Sequence, residues 1–221
     1  MAKKHPLLAN KPERKAKPHR KLIFLIGFAN VGKDTVYNLL KEISPVAVER
    51  VSFADALKTE VYPTLGKEYD PENDSEGEAR EWKEKHRPEI IIYGEGQKHK
   101  HGMYYWVKRA LDSKLLRTFD RRADYPHIVV TDCRRAEEIL WFKHFKMGNF
   151  KELETARAIY EPLMIAIHRE GAEEVDKDYL THFATEYASE GRVFGAYIKN
   201  FKGLKELKSQ VTDMYALHIK D

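Results

Sequence analysis

The clearest chemical signal in the chain is the nine-residue stretch 27–35, G-F-A-N-V-G-K-D-T. A glycine at each end of the loop lets backbone N–H groups curl round phosphate oxygens. The lysine adds a point charge at the start of a helix, whose N-terminus is itself positive. The spacing is that of a phosphate-binding P-loop with one departure: the residue after Lys33 is Asp34 rather than Ser or Thr, and Thr35 follows. A carboxylate can hold magnesium or its waters, so the departure does not disable the site, although its metal coordination need not be the standard one. Gly27, Asn30, Val31, Gly32, Lys33, Asp34 and Thr35 are therefore the candidates for holding a polyphosphate, with Asp34 and Thr35 also candidates for its metal.

A second signal lies about a hundred residues on, in H-I-V-V-T-D-C-R-R-A-E-E, residues 127–138. An apolar run ending in an acid is the arrangement in which a carboxylate anchors magnesium beside a P-loop. Asp132 is that acid, and Arg134 and Arg135 follow within reach of a transferring phosphate. Strands that end in Asp are common, so this pattern draws its weight from the P-loop upstream. Weaker candidates are Asp55 and Lys58, at the carboxyl end of an expected strand, where doubly wound sheets bind ligands; a helix-start acid and a solvated lysine explain them equally well. The stretch 96–110, G-Q-K-H-K-H-G-M-Y-Y-W-V-K-R-A, interleaves basic and aromatic side chains. Its lysines suit a phosphate and its rings a base, and the composition also suits single-stranded nucleic acid. Trp106 fits core packing and ligand contact about equally, and His99 and His101 have no partners that would make a metal site.

These residues need elements to position them. Leu22–Ile26 reads as a strand buried on both faces, and the segment from Thr35 to about Ile43 as a helix stopped by Ser44-Pro45. Further strands are expected at Val46–Phe53, Ile128–Thr131, Leu163–Ile167 and Val193–Ile198. Helices are expected from Ala54, across Ala136–Ala158 (apolar at Ile139, Leu140, Phe142 and Phe145, with a break at Met147-Gly148-Asn149), and at Gly203–Leu217. Glu89–Glu95 fits strand or helix, and Tyr62–Pro88 reads as a polar excursion without assignable chemistry. The alternation predicts an α/β chain, a three-layer α/β/α sandwich on a parallel five-stranded sheet.

Composition sets bounds. The 221 residues carry a formal charge of +4. The first twenty residues, with Lys3, Lys4, Lys11, Arg14, Lys15, Lys17 and Arg20 against Glu13, account for that excess. They read as a disordered basic tail ahead of a domain at 21–221. The domain itself is near neutral or slightly acidic, which argues against nucleic acid as its partner. With Cys133 alone there is no intrachain disulfide and no cysteine metal cluster, which points to a reducing, cytoplasmic setting. No segment reads as a secretory signal or membrane span.

With both anchors placed, the chain from about Lys21 to Leu217 resembles phage-type deoxynucleoside monophosphate kinases, P-loop kinases of the adenylate-kinase-like fold. The matching pieces are Gly32–Thr35, Phe53–Lys58, Gly94–Lys108, Val129–Glu138, Arg169, His182–Glu186 and Ile198–Leu204. Departures fall at Gly102-Met103, where an acid is missing, and in the H-x-x-T-E spacing of His182–Glu186. The resemblance implies helical insertions for the monophosphate (about 54–125) and for a lid (about 134–161, including Arg157). It implies ATP and Mg²⁺ as cofactors, a deoxynucleoside monophosphate as substrate, room for a homodimer, and the cytoplasm of an infected host cell if phage-encoded. Lys33, Asp132 and Arg134 would be catalytic, with Asp34, Thr35 and Asp132 managing the metal. Asp55, Lys58, Lys100 (or Lys98), Trp106, Arg134, Glu138 and Arg169 would meet the substrate.

A sister family, animal-type phosphomevalonate kinase, is similar at G-K-D (Gly32–Asp34), at Y-G-E-G-Q-K (Tyr93–Lys98) and at D-C-R-R-A-E-E-I-L-W-F (Asp132–Phe142). It implies ATP-dependent phosphorylation of an isoprenoid precursor. Tyr105-Trp106-Val107-Lys108 and Phe53–Lys58 favour the nucleotide family. A P-loop protein that holds nucleotide without turnover, favoured by Asp34, and a nucleic-acid module built on the tail and Lys98–Arg109 are the readings outside the kinases.

Overall fold

The computed structural model describes residues 20–74, 77–118, 124–172 and 195–220. The tail through residue 19 and the His182–Glu186 motif lie outside them. Five strands, β1 (Arg20–Ile26), β2 (Val48–Val51), β3 (His127–Cys133), β4 (Tyr160–His168) and β5 (Ala196–Lys199), form one sheet in the order β2-β3-β1-β4-β5. Every neighbouring pair is parallel. All five strands therefore end at one edge, and the P-loop, Ser52, Arg134, Arg169 and Asn200 gather there.

The alternation within β1 explains the three layers. Leu22, Phe24 and Ile26 face one core, with Val107, Leu111 and Leu115 of α5 (Tyr105–Leu115) and Ile139, Trp141, Phe142 and Phe145 of α6 (Ala136–Met147). Ile23 and Leu25 face the other, with Val36, Leu39 and Leu40 of α1 (Lys33–Ile43) and Leu207, Val211 and Met214 of α8 (Leu204–His218). The expected α/β/α sandwich on a parallel five-stranded sheet is what forms. On the α6 side, the rings of Phe24, Trp141 and Phe145 stack in sequence, with centroids 6.1 and 5.4 Å apart. So α6, within the stretch 134–161, is a core layer. It ends at Gly148, whose φ of +82° caps it; a short 3₁₀ turn and α7 (Glu154–Ile159) lead from there into β4.

Several sequence expectations shift. Arg20, expected in the tail, is the first residue of β1 and is buried. Phe53 opens α2 (Phe53–Thr64) instead of closing β2, because Ser52 caps that helix by accepting from the Asp55 N–H at 3.1 Å. Leu140, expected on the apolar face of α6, is 38% exposed, and Trp141 takes the buried place. The Glu89–Glu95 ambiguity resolves as helix: it lies within α4 (Arg87–His101), which follows α3 (Gly77–Lys85). Its isoleucine run is not a buried strand, since Ile91 and Ile92 are half-exposed or more. Helices α2 to α5 form one flank of the strand edge. There Val61, Tyr62 and Ile90 make a small core of their own, with Trp82 and Tyr69 packed on it. Among the described residues no helix is long and apolar enough to cross a membrane.

Candidate active site

The loop between β1 and α1 is shaped by close approaches. A Cβ on Gly27 would stand 2.4 Å from the Ile167 carbonyl oxygen of β4, so no other residue fits there without moving the strand. Gly32 has φ +102°, and Asn30 sits at φ 60°, the left-handed turn that curls the chain. The Lys33 ammonium donates to the Gly27 and Phe28 carbonyls at 2.8 and 2.6 Å. It thus occupies the cradle that a phosphate would enter. Burial, and next the charge of Arg134, pull this ammonium below the usual lysine range, against Asp132, Cys133 and Asp34. Asp34 is exposed and lies 3.7 Å from Arg50.

Asp132 is tied to the other flank. Its Oδ1 accepts from the Phe53 N–H at 3.0 Å, and its Oδ2 from the Ser52 hydroxyl at 2.9 Å and the Ala54 N–H at 2.8 Å. It is therefore the anion at the N-terminus of α2 as well as the acid at the tip of β3. Three of roughly four lone-pair positions are taken. That leaves a contact for one water of a magnesium ion and does not suit a full protein cage. Among the described residues no cluster of three acidic, His or Cys side chains could hold a metal. A magnesium carried in on phosphates would meet Asp132 through a water, with the Thr35 and Asp34 oxygens as the other candidate ligands.

Beside Asp132 opens a cavity of about 300 Å³ lined by one face of α4 and parts of α2, α3, α5 and the β3–α6 turn. Arg87, Ile90, Ile91, Gly94, Glu95 and Lys98 supply that face of α4. Their spacing follows successive helical turns, so the helix lies lengthwise along the cavity with a cation near each end and an apolar middle. Arg87 and Lys98 are about 16 Å apart along the axis. Around Lys98 stand Arg134, Arg135, Glu137 and Glu138; towards Arg87 stand Lys58 and Lys83. Lys98 pairs with Glu95 and Glu137 at 2.8 and 3.0 Å. Lys58 and Lys83 converge on the buried Asp74 at 2.8 and 3.4 Å. Two ammonium groups thus share one carboxylate, leaving positive charge at that end.

The β3–α6 turn is fixed by Glu138. One of its oxygens accepts from both the Arg134 and Arg135 N–H groups, at 2.7 and 2.9 Å. Burial, followed by the nearby Asp132 carboxylate, pushes its carboxyl up to about 8, although the two N–H groups favour the charged form. Cys133 between them is fully buried, and burial raises its thiol well above the usual range, so it is not a nucleophile.

The expected site residues divide. Lys33, Asp132, Arg134 and Glu138 lie together, and Lys58 and Trp106 line the same cavity. Trp106 is nearly buried, and its indole N–H donates to the Gly94 carbonyl at 3.0 Å, so it serves as wall more than stacking surface. Lys100 is exposed and does not line the cavity; Lys98 does, being on the inward face of the helix. Asp55 faces away, bonded to Arg50 and Tyr69 at 2.7 Å each. Arg169 reaches the P-loop, donating to the Asn30 carbonyl at 3.2 Å, and does not line the cavity. Sequence reasoning missed Lys83, Arg87 and Asp74. The signal that finds Arg87 is the α4 spacing, once that stretch is read as helix.

The phosphomevalonate kinase family profile matches residues 25–149, which span the P-loop, the cavity and the Asp132–Arg135 turn. The chain belongs to this family. Of the two resemblances, the match falls on the sister family and not on the deoxynucleoside monophosphate kinases. No curated protein matches the chain. Among solved structures, an APS kinase of Mycobacterium tuberculosis in complex with AMPPNP and APS aligns at 13% identity, covering 90% of this chain and 99% of that one, with a TM-score of 0.41. A putative kinase from Chloroflexus aurantiacus aligns at 15% identity over 91% and 97%, also with a TM-score of 0.41.

Proposed function

We propose that the protein transfers the γ-phosphoryl group of ATP to the phosphate of phosphomevalonate. An oxygen of the acceptor phosphate forms the new bond to the γ-phosphorus, the β–γ bridge breaks, and ADP leaves. The observation that carries this reading is the α4 face, apolar at Ile90, Ile91 and Gly94, with Lys58, Lys83 and the Glu84-paired Arg87 towards one end and Lys98, Arg134 and Arg135, interleaved with Glu95 and Glu137, towards the other. Phosphomevalonate offers a phosphate at one end and a carboxylate at the other of a short branched chain that also bears a hydroxyl.

In this reading Lys33 leaves the Gly27 and Phe28 carbonyls for the β- and γ-phosphates, and the loop N–H groups cradle them. Asp132, Thr35 and Asp34 would hold the magnesium, which would supply charge neutralisation to the transferring phosphates. Arg134, at the tip of β3, neutralises the charge of the transferring group, while Glu138 holds the turn that aims it. No side chain need act as general base, because a phosphate oxygen is already a competent nucleophile.

The test is ADP release from Mg-ATP with phosphomevalonate, each deoxynucleoside monophosphate and each ribonucleoside monophosphate offered separately. Turnover with phosphomevalonate and none with nucleotides is the expected result. Turnover with deoxynucleotides instead would return the cavity to a nucleotide acceptor. Silence in protein that still binds ATP would leave a nucleotide-binding protein without transfer.

A further inference from the structure

Two side chains that follow β4 and β5 hold carbonyls of the P-loop. The Asn200 side chain, just beyond β5, donates through Nδ2 to the Val31 carbonyl at 2.8 Å. Its own backbone N–H is fixed on the His168 carbonyl at 2.8 Å. Arg169, just beyond β4, donates to the preceding loop carbonyl, that of Asn30. The contact is close: a Cβ on Gly32 would stand 2.7 Å from Asn200 Nδ2. A trans peptide is planar, so its N–H points opposite to its C=O. Holding the Asn30 and Val31 carbonyls outward therefore turns the Val31 and Gly32 N–H groups inward, towards the space a phosphate would occupy.

We propose that Asn200 is a positioning residue for nucleotide phosphates, acting through the Val31 carbonyl to aim the Gly32 N–H, with Arg169 doing the same for Val31. The inference rests on the P-loop binding ATP and is independent of the acceptor's identity. Asn200 needs only its amide donor for this. Asn200→Asp keeps the shape, removes the donor and sets a carboxylate against a carbonyl. Asn200→Ala removes the donor without adding charge.

The experiment is calorimetric titration of AMPPNP, and separately of inorganic pyrophosphate, into wild-type, Asn200→Asp and Asn200→Ala protein. Phosphomevalonate titration and thermal melting without ligand accompany it. The expected result is AMPPNP affinity lower by about tenfold or more in Asn200→Asp and by a smaller factor in Asn200→Ala. Pyrophosphate should follow in parallel, while acceptor affinity and the unliganded melting temperature stay close to wild type. A purely structural role would lower melting temperature and acceptor affinity together with AMPPNP affinity, and that pattern overturns the proposal. So does AMPPNP binding within twofold of wild type in both variants. Wild-type protein that binds neither AMPPNP nor pyrophosphate would refute the P-loop reading itself, and this inference with it.

Discussion

Replacing Glu138 by Gln separates the electrostatic cost of that carboxyl from the turn it holds. The carboxyl is 8% exposed, and its pKa rises from an ordinary value near 4.5 to about 8. The folded chain therefore keeps a proton that the unfolded chain gives up over this interval. The stability linked to that proton is complete below about pH 4.5 and is lost as pH rises towards the folded value. At about 1.4 kcal/mol per unit, the wild type should lose about 2–3 kcal/mol between pH 5 and pH 7 relative to the glutamine variant. The geometry favours a clean comparison, because one oxygen of Glu138 accepts both the Arg134 and Arg135 N–H groups, and a glutamine carbonyl can take its place. The assay is urea unfolding of both proteins across pH 5–8, with the difference in unfolding free energy plotted against pH. A difference that is flat, or that moves in the wild type's favour as pH rises, refutes the assignment of a largely protonated, buried carboxyl.

Other perturbations reach the remaining parts of the site. Gly27→Ala places a Cβ 2.4 Å from a backbone oxygen that cannot yield. It should cost about 1–3 kcal/mol in urea unfolding and weaken ATP in calorimetry. Lys98→Met should raise the acceptor KM by about tenfold or more with little change in that for ATP, whereas Lys100→Met should change neither beyond about twofold. Equal effects at the two positions would mean that the inward face of α4 does not meet the acceptor. Arg134→Met should lower kcat by about a hundredfold or more in steady-state ADP release while leaving the unfolding midpoint near wild type.

What could be read from the sequence was what is local in the chain. The strand–loop–helix around Lys33 falls within about twenty residues and the strand ending at Asp132 within a dozen, and each carries its own pattern. The sheet followed, because parallel strands separated by helices leave few topologies. Phase and distance were hidden. Lys98 and Lys100 are equivalent in composition, and only the helix around them decides which faces inward. Ile90–Ile92 looks like a buried strand until helices α2 and α5 are in place to cover part of it. Asn200 meets Val31 across 169 residues, and Ser52 meets Asp132 across 80. Pairings over such separations leave no local pattern.

The attachment of α2 to Asp132 has a thermodynamic corollary. The strand tip that would steady a nucleotide's magnesium and the helix that supplies Leu57 and Lys58 to the acceptor wall are joined by three hydrogen bonds. A ligand that draws on Asp132 from one side must loosen or tighten that junction, and so changes what the other side offers. If the two sides hold nucleotide and acceptor as proposed, their binding is energetically linked, and linkage is reciprocal: whatever factor the nucleotide imposes on the acceptor's dissociation constant, the acceptor imposes on the nucleotide's.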